Sequence, residues 1–98
     1  MKLQIHSIHF DADQKLLAFI QRKADKLETF HDRIVDGEVF LRINNSTIEN
    51  KTFEIKINIP GNQLFAKEQA KSFEEAADLA TEALRRQLKK FKVKQMAH

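Results

Sequence analysis

The chain has 98 residues, 42% of them hydrophobic, which is enough for one small two-layer domain. It contains no cysteine, so disulfides, thiolate catalysis and zinc–thiolate sites are excluded. Its first residues lack the long apolar core of a secretory signal, and no segment approaches the roughly 20 apolar residues of a membrane span. We therefore expect a cytoplasmic protein that has no membrane partner.

The net charge of +3 conceals an uneven distribution along the chain. Residues 1–82 contain all fourteen acidic residues and eleven of the seventeen Lys and Arg, so this part carries a net charge of −3. Residues 83–98 contain the other six Lys and Arg and no acid. Such polarity is typical of proteins that bind a polyanion or an acidic surface.

The first half of the chain predicts a strand, a helix and a second strand. KLQIHSI (residues 2–8) is rich in β-forming residues, and its alternation breaks near Ser7, where we expect a bulge or the strand's end. Asp13 is placed to cap a helix over residues 14–29, whose apolar residues recur at helical spacing. The alternation of Val39, Leu41 and Ile43 predicts the next strand.

The second half predicts two more strands and a long helix. The cleanest alternation in the chain places Phe53, Ile55, Ile57 and Ile59 on one buried face of a third strand. Pro60–Gly61 predicts a tight turn before a fourth strand, QLFAKEQAK (residues 63–71), whose alternation is weaker. Residues 72–75 (SFEE) fit a capping box, and an apolar stripe then predicts one helix from 73 to about 93.

The predicted order of elements is therefore β-α-β-β-β-α, an α+β fold with two layers. Strands with one apolar face and helices with one apolar stripe predict a single four-stranded sheet with both helices packed on one face. The first β-α-β unit is expected to be right-handed and to pair strands one and two in parallel. The absence of a linker or repeat predicts one domain over residues 1–98.

The last helix carries six cations around its solvent side, within ten positions. The helix dipole alone favours cations at a helix end, and a solvated charged face is the common meaning of such a pattern. Cations spaced at i, i+4 repel one another, however, and bound phosphates would relieve that repulsion. The six candidate contacts are Arg85, Arg86, Lys89, Lys90, Lys92 and Lys94.

The first helix adds a second set of candidate contacts. Arg22 and Lys26 flank its apolar stripe, whereas Lys23 projects near the centre of the stripe. Lys23 must then either extend its stem past the core or line a groove between the helices. The functional interpretation is a basic groove in which Lys23 and Lys26 face the cations of the last helix.

Cations spaced along paired helices can follow a folded RNA backbone through phosphate and 2′-OH contacts. Phe40 is the one clear outward aromatic on the predicted sheet, which argues against base stacking there. We therefore predict shape-directed binding of structured RNA. The alternative is a protein-interaction module whose basic helix docks on an acidic protein surface.

The residues give little support for catalysis. His6 and His9 are predicted to point to opposite faces of a strand, so they cannot chelate a metal together, and His31 and His98 are isolated. The chain contains only two glycines, Gly37 and Gly61, and no glycine-rich phosphate loop. We predict no catalytic residue, no metal, no cofactor and no small-molecule substrate.

Two segments, KADKLETFHDRI (23–34) and LRRQLKKFKVK (84–94), together with the three consecutive strands, resemble the ribosome hibernation promoting factors. These are also called ribosome-associated inhibitors or sigma-54 modulation proteins. The resemblance covers nearly the whole chain. It implies a β-α-β-β-β-α protein that binds ribosomal RNA in the decoding region of the small subunit, blocks messenger and transfer RNA sites and silences idle ribosomes. Shorter members can also promote pairing of ribosomes.

The resemblance also implies which residues contact RNA. Carried over by position, these are Lys23, Lys26, Arg33, Arg86, Lys90, Lys92 and Lys94; the residues themselves add Arg22, Arg85 and Lys89. Relatives often have a lysine where this chain has Ala83, which Arg85 could compensate. The chain looks like a short form without the C-terminal dimerisation domain of long members, and we expect a monomer off the ribosome.

Overall fold

The structure, a computed structural model, describes residues 1–45 and 48–96, with the backbone alone for residues 92–96. Four strands and two helices follow the predicted order, β-α-β-β-β-α. Their bounds are β1 (Lys2–Ile8), α1 (Gln14–Lys26) with a 3₁₀ turn (Leu27–Thr29), β2 (Asp36–Ile43), β3 (Lys51–Ile59), β4 (Asn62–Ala70) and α2 (Phe73–Met96). No helix in the described ranges is long and apolar enough to cross a bilayer.

The strands form one sheet in the order β1-β2-β3-β4. β1 and β2 pair in parallel, as predicted, and the other two pairs are antiparallel. One row of facing residues, Ile5–Val39–Ile55–Ala66, crosses all four strands and points into the core. The predicted alternation in β3 is confirmed, since its four apolar residues are all buried.

Both helices pack on the same face of the sheet, which confirms the predicted two-layer architecture. The inner side of α2 begins with three fully buried small residues, Ala76, Ala77 and Ala80. Small side chains let the helix axis approach the strands closely, and the larger Leu84 and Leu88 then fill the core further along the helix. Ile20 and Leu27 extend the same core beneath α1.

The helix ends show where local hydrogen bonds override the periodicity. The predicted cap is confirmed at Asp13, whose carboxylate accepts from the Leu16 amide at 2.8 Å. α1 ends at Lys26 rather than continuing to residue 29, because the hydroxyl of Thr29 donates to the Lys26 carbonyl at 2.7 Å and the next turn tightens into 3₁₀ geometry. At α2, the Ser72 hydroxyl accepts from the Glu75 amide at 3.1 Å.

The two helices run in the same direction. β1 and β4 both run parallel to β2, so the helix that follows each of them returns along the sheet the same way. Contacts confirm this alignment, since Phe10 stacks on Phe73, Lys23 pairs with Asp78, and Arg85 lies over Phe30. The carboxyl-terminal ends of both helices therefore lie at one end of the molecule.

We expect Ser72→Ala to lower the free energy of unfolding by about 1 kcal/mol, because the Glu75 amide loses its acceptor. Urea denaturation followed by circular dichroism measures the change. Ser72→Asp is the matched control, since a carboxylate can accept the same hydrogen bond and is favoured at a helix start. Equal stability of the alanine variant and the unmodified protein would contradict the cap.

Candidate RNA interface

One end of the molecule concentrates cations from three separate segments. We call it the basic end: Lys26 at the end of α1, the loop of residues 30–35 and the part of α2 from Arg85 onward. Among the described residues, its cations are exposed except for the half-buried Arg85. The described side chains are Lys26, Arg33, Arg85, Arg86, Lys89 and Lys90, whereas the predicted contacts Lys92 and Lys94 have side chains outside the described residues.

Ring contacts hold the loop of residues 30–35 against α2. The Arg85 guanidinium lies 5.8 Å from the ring centroid of Phe30. The His31 and Phe91 ring centroids are 5.7 Å apart, and the Arg33 amide donates to His31 Nδ1 at 3.1 Å. The structure thus brings the predicted Arg33 next to the basic part of α2, across a cleft that also includes Pro60.

Glu82 supplies a counter-charge beside the basic end. Both of its carboxylate oxygens accept from Arg85 Nε, at 3.1 and 3.0 Å, and Arg86 Nη1 lies 3.8 Å away. The hydrogen bond from Arg85 lowers the pKa of the Glu82 carboxyl, and Glu82 in turn raises the pKa of Arg85. In the described part of the chain no carboxylate forms an ion pair with Lys89 or Lys90, and both side chains are exposed to solvent.

Lys23 does not face the cations of α2, so that part of the predicted groove is wrong. Its Nζ lies 2.6 Å from Asp78 Oδ1 and 5.5 Å from the Phe19 ring centroid, and the side chain is 31% exposed. Helical periodicity places Lys23 beside the core but does not identify its neighbour on another helix. Arg22 borders a shallow cleft with Glu74. Both residues therefore lie beside the acidic half of α2, and their contact with RNA stays a prediction.

The face of the sheet opposite the helices carries aromatic groups that the sequence prediction missed. Phe40 was expected to be its one clear outward aromatic, but Phe65 is 45% exposed on the same face. His6 also lies there, with its ring stacked on Phe40. The weak alternation of β4 hid Phe65, although Leu64 and Ala66 on either side of it are apolar and buried.

The basic end offers charge and hydrogen-bond donors. Guanidinium and ammonium groups donate but do not accept, so they suit phosphate oxygens and 2′-hydroxyls. Within the described residues, no group of three or more His, Asp or Glu side chains is placed to hold a metal ion. The arrangement therefore has the chemistry of a polyanion-binding surface.

The chain thus combines a two-layer α+β fold with one strongly basic end. Residues 3–96 match the family model described as "Sigma 54 modulation protein / S30EA ribosomal protein". The chain belongs to this family, which confirms the resemblance found in its motifs. The family is one of ribosome-associated factors.

Curated relatives with similar sequences are named as ribosome hibernation factors. The Pseudomonas putida ribosome hibernation promoting factor is 28% identical over 97 residues, which cover 99% of this chain and 92% of the relative. The Deinococcus radiodurans and Bacillus subtilis ribosome hibernation promotion factors are 28% and 29% identical. The chain spans about half the length of these two relatives (50% of each).

Two solved structures share the fold at low sequence identity. A ribosomal subunit interface protein from Coxiella burnetii superposes with a TM-score of 0.86 at 22% identity, over 95% of this chain and 99% of that one. The N-terminal domain of Thermus thermophilus Protein Y gives a TM-score of 0.82 at 20% identity, over 93% and 99%. The predicted fold class is thereby confirmed.

We expect Arg85→Ala to raise the pKa of the Glu82 carboxyl toward its ordinary value, because the Arg85 hydrogen bond is the largest cause of its lowering. Carbon-13 NMR titration of the side-chain carboxyl measures this. Arg86→Ala is the control and should change the pKa less, since Arg86 acts only through its charge. Equal effects of both substitutions would contradict this pairing.

Because the pKa of Glu82 is lower in the folded protein than in the unfolded chain, any stabilisation by Glu82 is present above the pKa of the unfolded chain. It is lost as the pH falls through the pKa of the folded protein.

Proposed function

We propose that this chain is a ribosome hibernation factor. In this proposal it binds the small ribosomal subunit through ribosomal RNA in the decoding region, blocks the messenger and transfer RNA sites there, and thereby inhibits translation by idle ribosomes in the cytoplasm. The role is one of binding rather than catalysis. The observation that carries the proposal is the convergence of cations from α1, the loop of residues 30–35 and α2 at one end of the molecule. Family membership and the names of the relatives support the ribosome as the partner.

The geometry suits an RNA backbone better than isolated bases. Along α2, residues 85–90 extend over about 8 Å, so their cations form a short row rather than a single point. Arg33 and Lys26 lie on other segments and widen that row into a surface. A surface of this kind can follow the phosphates and 2′-hydroxyls of folded RNA, with recognition by shape rather than by base sequence.

Lys89 and Lys90 are the most direct test of the basic end, because both are exposed and lack a carboxylate partner in the described residues. We expect Lys89→Glu with Lys90→Glu to abolish co-sedimentation with small ribosomal subunits and leave the fold intact. Pelleting through a sucrose cushion at low salt measures binding, and circular dichroism checks the fold. A sucrose-gradient profile of the same mixture with whole ribosomes would show any ribosome dimers.

The matched control is Lys15→Glu with Lys71→Glu, which makes the same change of net charge at exposed positions outside the basic end. We expect this variant to pellet almost as well as the unmodified protein. Equal loss in both variants would mean that net charge alone drives association. Retained binding by the Lys89–Lys90 variant would contradict the proposed interface.

We also expect Glu82→Gln to strengthen binding to the small subunit by about two- to fivefold, because it releases Arg85 and Arg86 from a competing anion. If one released cation then contacts a phosphate, the slope of log K against log salt becomes steeper by about 0.7 to 0.9. Fluorescence anisotropy of a labelled protein measures both quantities. Glu74→Gln is the control, because it removes the same charge from the acidic first turn of α2; it should change neither the affinity nor the slope. Weaker binding by Glu82→Gln would contradict the prediction and would give Glu82 a direct role in recognition.

A further inference from the structure

The face of the sheet opposite the helices carries a compact aromatic group around Phe40. The ring of His6, from β1, stacks on Phe40 of β2 with a centroid separation of 4.9 Å and an angle of 19° between the rings. The Arg42 guanidinium and the Lys56 ammonium lie 5.5 and 5.7 Å from the centroid of the same ring. We call His6, Phe40, Lys56 and Phe65 the aromatic patch.

The strand register places Lys56 between two aromatic side chains. Lys56 of β3 faces Phe65 of β4 directly, and its ammonium group reaches back to the ring of Phe40 on β2. Phe40 and Phe65 lie two strands apart, so their backbones are about 10 Å apart across the sheet. In the register they are also offset by two residues, which is about 7 Å along the strands. The patch thus places the exposed ring of Phe65 and the partly exposed ring of His6, which is stacked on Phe40, on either side of Lys56.

The carboxylates near the aromatic patch are already occupied by partners on the same face. Glu38 pairs with His6 at 2.9 Å, Glu54 with Arg42 at 2.7 Å, and Asp36 accepts from Asn58 at 2.6 Å. Lys56, by contrast, has no carboxylate partner within the described part of the chain. Lys56 lies directly opposite Glu38 in the strand register but forms no ion pair with it, so its ammonium group can still contact a phosphate.

We propose that the aromatic patch binds single-stranded nucleic acid. In this arrangement one base stacks on the Phe40–His6 pair, a second base stacks on Phe65, and a phosphate between them contacts Lys56. Unpaired bases expose the flat faces that such stacking needs, whereas a duplex hides them. An acidic peptide would satisfy Lys56 but would leave the two flat ring surfaces without matching groups. The inference goes beyond the proposed function, since it assigns a second contact surface on the opposite layer of the fold.

The test separates this surface from the basic end by using the Lys89→Glu, Lys90→Glu variant as its background. The probe is a fluorescein-labelled, single-stranded RNA octamer of mixed C and U, and anisotropy at low salt measures its binding. Phe40→Leu and Phe65→Leu keep apolar bulk but remove the aromatic faces. Leu79→Ala is the control, because Leu79 is about as exposed (46%) as Phe65 but lies on α2.

We expect the octamer to bind the background variant and to lose affinity about fivefold or more for each ring removed. Leu79→Ala should have no effect, and the amide NMR signals of Phe40, Lys56 and Phe65 should shift when the octamer is added. Circular dichroism checks whether Phe40→Leu alters the fold. If it does, Phe65→Leu alone tests the proposal, because Phe65 is exposed.

Three results would overturn the proposal. The first is failure of the octamer to bind the background variant. The second is unchanged affinity in the two leucine variants. The third is displacement of the octamer by inorganic polyphosphate or by an acidic peptide, when the same competitor also binds the leucine variants as tightly as the background variant. The face would then be a general site for anions or for acidic proteins. None of these results involves the ribosome, so each is distinct from failure of the proposed function.

Discussion

The shared direction of the two helices is the constraint on which the rest of the structure depends. β1 and β2 pair in parallel, and β2, β3 and β4 pair in antiparallel fashion, so β1 and β4 run in the same direction. Each of these two strands is followed by a helix. Each helix then ends at the same edge of the sheet, where the partial negative charge of its terminal carbonyls favours cations. Antiparallel helices would have placed Lys26 beside the acidic first turns of α2 and divided the basic end into two weaker patches.

The same alignment sets where cations and acids meet in a protein of modest net charge. Asp78 meets Lys23 near the middle of the helix pair, and Glu82 limits the repulsion around Arg85 and Arg86. Beyond Glu82, α2 has no acid, so its later cations remain available for a polyanion. The outer face of the sheet differs from the basic end. Its acids pair with neighbouring side chains, and aromatic rings form part of its exposed surface. The two layers of the fold thus present different surfaces, a basic end and a sheet face with exposed aromatic rings.

Sequence patterns predicted most of the fold because its strongest signals are local. The alternation in β3, the caps at Asp13 and Ser72 and the apolar stripe of α2 each depend on residues close in sequence. The end of α1 was placed three residues too late, since a Thr29 hydroxyl bond changes the last turn without altering its periodicity. The partner of Lys23 and the exposure of Phe65 depend on contacts between distant elements, and no local pattern contains them. By contrast, the approach of Arg33 to α2 follows from the topology once the helix direction is known.

We propose that the basic end binds ribosomal RNA, and the salt dependence of binding to isolated small subunits tests this proposal. The dissociation constant of the unmodified protein would be measured by anisotropy across a range of monovalent salt. If four or more cations contact phosphates, log K falls by about 3 or more for each tenfold rise in salt, at roughly 0.7 to 0.9 per contact. A slope near zero, or tight binding that survives high salt, would contradict this account and indicate a protein surface with apolar anchors as the partner.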